Sequence, residues 1–414
     1  MSRLISSGLL ADTLKLVSGT IGGRLVLLAV LPLITRLYSS EDFTLLAVYM
    51  ALINTIGVAA CLRLEIAIPF AEDDQTAADL LLAAVSVAAT ISLLVIFLAL
   101  AAPLWLARLV GSPEIAPWLW LVGFGIFCIG SYGAFQFWAT RSRRFGAIAR
   151  TRVSQALSGA ATMLGLGWLG LAPLGLLLGN MFTTGAGGIR LAFDALRQDR
   201  ALLRQITPGS MRAAVQKHRR YPLFSTPEAL ANVAGIQVPI LMISAFSGAE
   251  AGQLFLAMQV MAAPMTLLAT SVGQVYASRA AEEMRHGRLR GFTLGMMRRL
   301  FLIGLGPMVL AGLLSPWLFA PVFGTGWERA GQIAAWITPW MLFQLVVSPV
   351  SMLLHANEKQ KTAMLLQIFG LILRCGGVVF SIYLGYYHLV EIYAVSSAVF
   401  YLLYGYVLIN SIRR

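Results

Sequence analysis

The run AADLLLAAVSVAATISLLVIFLALAAPL, residues 77–104, has a single charged side chain, Asp79, in 28 positions. A bilayer core ~30 Å thick is crossed by about 20 mostly apolar helical residues, so this run is long enough to span it. A transmembrane β-strand alternates over only about 10 residues, far fewer than the run provides. The stretch reads as a membrane-spanning helix.

Comparable runs recur along the whole chain of 414 residues, of which 58% are apolar and only 12% charged, with a mean hydropathy of +0.78. Soluble proteins carry about 25% charged residues, so that class is excluded. The apolar residues suffice for about twelve spans of about 20 residues each. Read between breakers, the runs lie near 14–37, 43–69, 77–104, 115–139, 153–171 and 173–194. The second half adds 222–246, 252–278, 295–320, 331–354, 362–386 and 388–410. The expected fold is an all-α polytopic membrane protein with about 12 transmembrane helices in two six-helix lobes around a central cavity. Residues 1–194 form the N-terminal lobe, 195–221 a basic cytoplasmic linker and 222–414 the C-terminal lobe. In the linker, Leu196, Leu202, Leu203 and Ile206 share a rough helical spacing. That leaves two readings open, an amphipathic helix on the membrane surface or a solvated linker.

The net charge of +13 is concentrated in connecting segments: five arginines in 141–152, seven basic residues in 197–220 and six in 279–299. Loops on the cytoplasmic side collect Lys and Arg, and this pattern accounts for the charge without nucleic acid. With the N-terminus inside, 24 basic residues lie at or near the inner face and only Arg36, Arg108 and Arg329 outside. Both termini are therefore expected in the cytoplasm. The acidic loop Glu72-Asp73-Asp74 dissents, but acids count little in that rule.

Three scattered cysteines (Cys61, Cys128, Cys375) without CxxC spacing, and four dispersed histidines, make no metal or disulfide framework. No Walker loop, GxSxG elbow or HExxH pattern occurs. Every loop is shorter than ~30 residues, too small for a separate catalytic domain by the usual domain size. The expectation is a protein that is not an enzyme and uses no cofactor.

Two arginines fall near the middle of spans: Arg24 in GTIGGRLVLLAVLP and Arg374 in LQIFGLILRCGGVVF, one in each half. A mid-membrane Arg costs about 2.5–3.5 kcal/mol on insertion scales and usually faces the bundle interior or an aqueous cavity. Neither has an acid three or four residues away. A guanidinium fork suits phosphate or pyrophosphate, so both are candidate substrate-binding residues; backbone carbonyls or an acid on another helix are the structural alternative. Arg63 and Glu65, in CLRLEIAIPF, are further candidates. At i and i+2 they point to different faces, so each needs a partner on another helix. Arg190 and Asp194, at i and i+4, are expected to pair, and Glu391 with His388 to be exposed at an outer end. Gly19 and Gly23 form a GxxxG pair that admits a close neighbouring helix.

Two stretches resemble a known family. LPLITRLYSSEDFTLLAVYMALINTIGVAACLRLEIAIPFAEDDQTAADLL (31–81) is similar to the start of bacterial polysaccharide transporters, the Wzx-type O-antigen or oligosaccharide flippases. FGTGWERAGQIAAWITPWMLFQLVVSPVSMLLHANEKQK (323–361) resembles their matching G-W--AG pattern. Together they cover about a fifth of the chain. Thr44 stands where the family often has Gly after its EDF triplet. The resemblance implies the multidrug/oligosaccharidyl-lipid/polysaccharide exporter superfamily, with two lobes that alternate between inward-open and outward-open. It further implies a multi-pass protein of the bacterial inner membrane that moves an oligosaccharide on undecaprenyl pyrophosphate between leaflets. Its expected partners are lipid-linked oligosaccharide, membrane lipids and polysaccharide polymerase or assembly proteins. A cation-coupled drug antiporter and a non-transporting scaffold are the competing readings.

Overall fold

A computed structural model describes residues 7–262, 265, 283, 288–351, 360–385 and 388–411. Among them every regular element is a helix and none is a strand. Among the described residues eight helices are long and apolar enough to cross a membrane. The protein is an all-α polytopic membrane protein.

The first half runs α1 (Ser7–Leu37), α2 (Ser40–Gly57), a short α3 (Leu64–Ala67), α4 (Asp74–Ala101), α5 (Pro103–Val110), α6 (Leu119–Arg141) and α7 (Phe145–Trp168). Four helices follow that carry the chain through its basic stretch: α8 (Leu174–Gly185), α9 (Gly187–Gln198), α10 (Arg200–Leu203) and α11 (Pro208–Lys217). The remainder comprises α12 (Thr226–Ser247), α13 (250–262), α14 (Leu289–Phe323), α15 (Glu328–Val347), α16 (Gln360–Tyr383) and α17 (Leu389–Ser411).

Two of the runs expected to be continuous spans are broken. The run 43–69 stops being helical after Gly57 and turns through 58–63. Leu62 and Arg63 there adopt positive φ of 50° and 59° before α3 begins. Such a conformation costs about 1–3 kcal/mol per non-glycine residue and needs support; here the Cys61 thiol donates to the carbonyl of Gly130 on α6 (3.3 Å). The run 173–194 bends at Ala186 between α8 and α9. Close approach marks this bend: a Cβ on Gly187 would lie 2.8 Å from Thr151 of α7. The run 252–278 falls largely outside the described residues.

The helices condense into two compact units. The first comprises the chain up to Tyr38 together with Val48–Val233; the second comprises Ser39–Ala47 with the chain from Ala234 onward. In the first, α1 lies along α7, α4 along α6, and α7 along α8. The α1–α7 approach runs through small residues, since a Cβ on Gly19 would lie 2.7 Å from Ala149 and one on Gly23 would lie 3.1 Å from the Arg152 carbonyl. The GxxxG pair thus does what its spacing implies. The basic stretch after 195 belongs to this unit. It is largely helical, with α11 packed on α4.

In the second unit α14 packs on α15, and α17 on both α15 and α16. The first turn of α2 is part of it. The Ser39 amide and hydroxyl donate to the Asp42 carboxylate (2.9 and 3.0 Å), capping that turn. Beyond it, Phe43 is buried against Trp327. The Thr44 hydroxyl donates to the Gly248 carbonyl (3.3 Å) and accepts the Gly252 N–H (3.0 Å). Thr44, which departs from the family pattern, is a polar clip.

Candidate functional site

Arg24 sits on α1 one residue beyond Gly23, about 100° around the helix from the face that meets α7. It is exposed within its unit, and no hydrogen-bond or ion-pair partner for it occurs among the described residues. One turn earlier, Thr20 receives the guanidinium of Arg152 instead. Arg24 is therefore a free fork on the flank of α1.

Arg374 has the opposite environment. It is 1% exposed on α16, and its Nη1 donates to the Gly235 carbonyl of α12 (3.0 Å). Its guanidinium lies 4.3 Å from the ring centre of Phe400 and 5.4 Å from that of Tyr401 on α17. Tyr393 of α17 donates to Ile236 in the next peptide of α12 (3.2 Å). Arg374 thus joins three helices, the backbone-carbonyl arrangement weighed as its structural alternative. Its Nε and Nη2 have no hydrogen-bond partner.

Arg63 and Glu65 pair with one another at 3.9 Å. The expectation that each needs a partner on another helix is corrected. It assumed an uninterrupted helix, whereas the positive φ at Arg63 swings its side chain toward Glu65. Glu65 Oε2 and Arg63 Nε lack partners. Arg24 and the Arg63–Glu65 pair belong to the first unit and Arg374 to the second.

The acidic loop, which dissented from the charge rule, turns out to hold counter-ions. Glu72 pairs with Lys217 at 2.6 Å and Asp74 with Arg141 at 2.9 Å. Asp73 caps α4, where the Thr76 N–H and hydroxyl hold its carboxyl below the usual carboxylate range. Arg141 also donates to the carbonyls of Ile68 (3.0 Å) and Ala71 (2.8 Å), fastening the turn before α4. Asp199 accepts from Arg144 (2.7 Å) and from the Trp138 indole (2.8 Å), tying the end of α9 to α6. The Ser210 hydroxyl donates to the buried Asp79 (2.7 Å).

Two further expectations fail. Arg190 and Asp194 form no ion pair among the described residues; the base precedes the acid, the weaker order along a helix. Glu391 is buried, 8% exposed, and is held by Arg329 (2.7 Å), which also binds Glu250 (2.9 Å). Arg329 thus serves two carboxylates, from α13 and α17. The clue available in the sequence is that all three residues lie close to span ends. Gln253, one of the span amides, is satisfied by backbone, donating to Gly326 (2.8 Å) and accepting from Ala330 (3.1 Å).

The model of a family described as "polysaccharide biosynthesis protein" matches residues 33–332, 300 of the 414 positions. No curated protein matches the sequence. Solved structures match over nearly the whole chain. The lipid II flippase MurJ in its inward closed conformation aligns with a TM-score of 0.71 at 13% identity, over 96% of this chain and 87% of its own. A MOP superfamily transporter from Pyrococcus furiosus aligns at 0.64 and 15% identity, over 97% and 96%. An inward-facing MATE family multidrug resistance transporter aligns at 0.64 and 14%, over 96% and 95%. At such identities the likeness is one of fold: the chain has the fold of MOP superfamily transporters.

Proposed function

Because the chain belongs to the polysaccharide biosynthesis protein family, we propose that it flips undecaprenyl-pyrophosphate-linked oligosaccharide from the cytoplasmic to the periplasmic leaflet by alternating access. The observation that carries the reading is Arg24, an unpaired guanidinium midway along a membrane helix. A charge so placed is stable when water or an anion meets it, and a guanidinium binds pyrophosphate oxygens through two parallel N–H bonds. Arg24 is the primary contact in this proposal. Arg374, 1% exposed and held by the Gly235 carbonyl and the Phe400 ring, is left to its structural role, and Arg63 with Glu65 lies at the inner end of the same half as Arg24. Buried amides such as Gln155 and Asn180, each with one unpartnered side-chain atom, are suited to sugar hydroxyls. The 24-to-3 charge asymmetry supports cytoplasmic termini, and the family resemblance supports the inner membrane; polymerase and assembly proteins complete the expected partners.

A drug antiporter of the same fold is the competing reading. A cationic substrate calls for an acid deep in the first helices, but Asp79 lies in the first two turns of α4 and is bonded to Ser210. The deciding experiment is a leaflet-specific assay in vesicles, using labelled lipid-linked oligosaccharide. Transfer that requires the protein and stops with Arg24→Ala supports the flippase; transport of organic cations without any lipid transfer would refute it.

A further inference from the structure

The structure has a second cationic feature, outside the helices that carry Arg24 and Arg374. A cavity of about 540 Å³ is lined by Phe193, Leu196, Arg197, Arg200, Leu203 and Arg204. Spaced at intervals of one, three and four, these six residues fall on one face of the α9–α10 helical path. The opposite face carries Leu191 and Ala195, both buried in the first unit. On the open face Ile189, Phe193 and Leu196 are exposed by 78%, 61% and 59%. The face is thus apolar at its start and basic at its end. Along the chain Phe193 and Leu196 lead directly into Arg197, Arg200 and Arg204, so the apolar part of the face adjoins the basic part.

None of these three arginines forms an ion pair with a described residue. The nearby acids are directed elsewhere: Asp199 is taken by Arg144 and Trp138, and Asp194 lies off the lining face. We propose that this face of α9 and α10 binds the phosphate of an anionic phospholipid from the leaflet that the basic segments face. The arginine forks take the phosphate oxygens, while Phe193, Leu196 and Leu203 pack against the glycerol and upper acyl carbons. Free phosphate has no use for that apolar wall. The Asp199 bonds hold the helix end in the orientation the site needs, and the bound lipid would anchor the basic stretch to the membrane surface.

The test uses the purified full-length protein in phosphatidylcholine nanodiscs containing a minor fraction of phosphatidylglycerol, with retained lipid read by native mass spectrometry. Removing Arg197, Arg200 and Arg204 together (each Arg→Gln) should weaken phosphatidylglycerol retention about 100-fold, at about fivefold per arginine. The charge-matched control replaces the exposed Arg212, Arg219 and Arg220 with Gln and should retain lipid like the parent. Inorganic phosphate should not displace the lipid. If the triple variant does not fold, Arg200→Gln alone should still give about a fivefold loss. Unchanged retention in the lining variants, equal loss in the control, or displacement by inorganic phosphate would each overturn the proposal.

Discussion

The rings of Phe43 and Trp327 meet edge to face, centroids 4.7 Å apart and planes at 71°, both side chains buried in the second unit. Each belongs to one of the two stretches that carry the family resemblance, 284 positions apart in sequence. The stretches are therefore halves of one packing contact, which fixes the start of α2 onto the loop before α15.

Truncating either ring should be costly. Phe43→Ala and Trp327→Ala should each lose roughly 3–5 kcal/mol, as large buried aromatics do. The double variant should fall short of the sum by about 0.5–1.5 kcal/mol, the worth of an aromatic pair. Thermal unfolding in detergent measures both; strict additivity would mean that the rings do not interact.

Arg24 and Arg374 should separate function from stability. Arg24→Ala is expected to abolish surface polysaccharide at normal protein levels, and Arg24→Lys to restore part of it, because an ammonium keeps the charge without the fork. Full polysaccharide in the alanine variant would remove Arg24 from the site.

Arg374→Ala, by contrast, should lower the unfolding temperature. It leaves the buried Gly235 carbonyl unpaired, at about 1–3 kcal/mol, and removes a desolvated cation–π contact worth ~2 kcal/mol. A variant as stable as the parent would show that the α12–α16–α17 junction does not depend on the guanidinium.

Asp199 should control the order of the basic stretch. In Asp199→Ala the half-buried Arg144 and the Trp138 indole lose their shared acceptor, at about 1.5–3 kcal/mol for hydrogen bonds to a charged group. Trypsin should then cut at the arginines of 197–204 faster than in the parent. Equal cleavage rates would show that α9 and α10 are held by packing alone.

Topology is open to direct mapping. A reporter fused after Arg200 should be cytoplasmic, and fusions near Glu250 or Thr325 periplasmic. A cytoplasmic report at 250 would reverse the order of spans from α12 onward.

Legibility in the sequence follows the range of the interaction. The Gly19–Gly23 pair could be read because close helix approach depends on two small residues at a fixed spacing, and α7 does approach there. The Arg63–Glu65 pair is not legible from helical spacing, because residues 58–63 turn, with positive φ at Leu62 and Arg63. Arg329 was counted only as one of three outward charges. Its partners lie 79 positions before it and 62 after it, beyond the reach of any local spacing rule.

The sequence by itself determined that this is a helical membrane protein, and about where its spans lie. Partition into a bilayer is summed over some 20 consecutive residues, so the information is local. The tertiary structure alone decided which charges are used up and which stay free. Ion pairing needs approach within a few ångströms, and only packing brings Glu72 to Lys217, Asp199 to Arg144 and Arg374 to Gly235. The same packing leaves Arg24 without a partner among the described residues. Two arginines that look alike in the sequence therefore differ in the fold: Arg374 is enclosed by three helices, and Arg24 is open on the side of one.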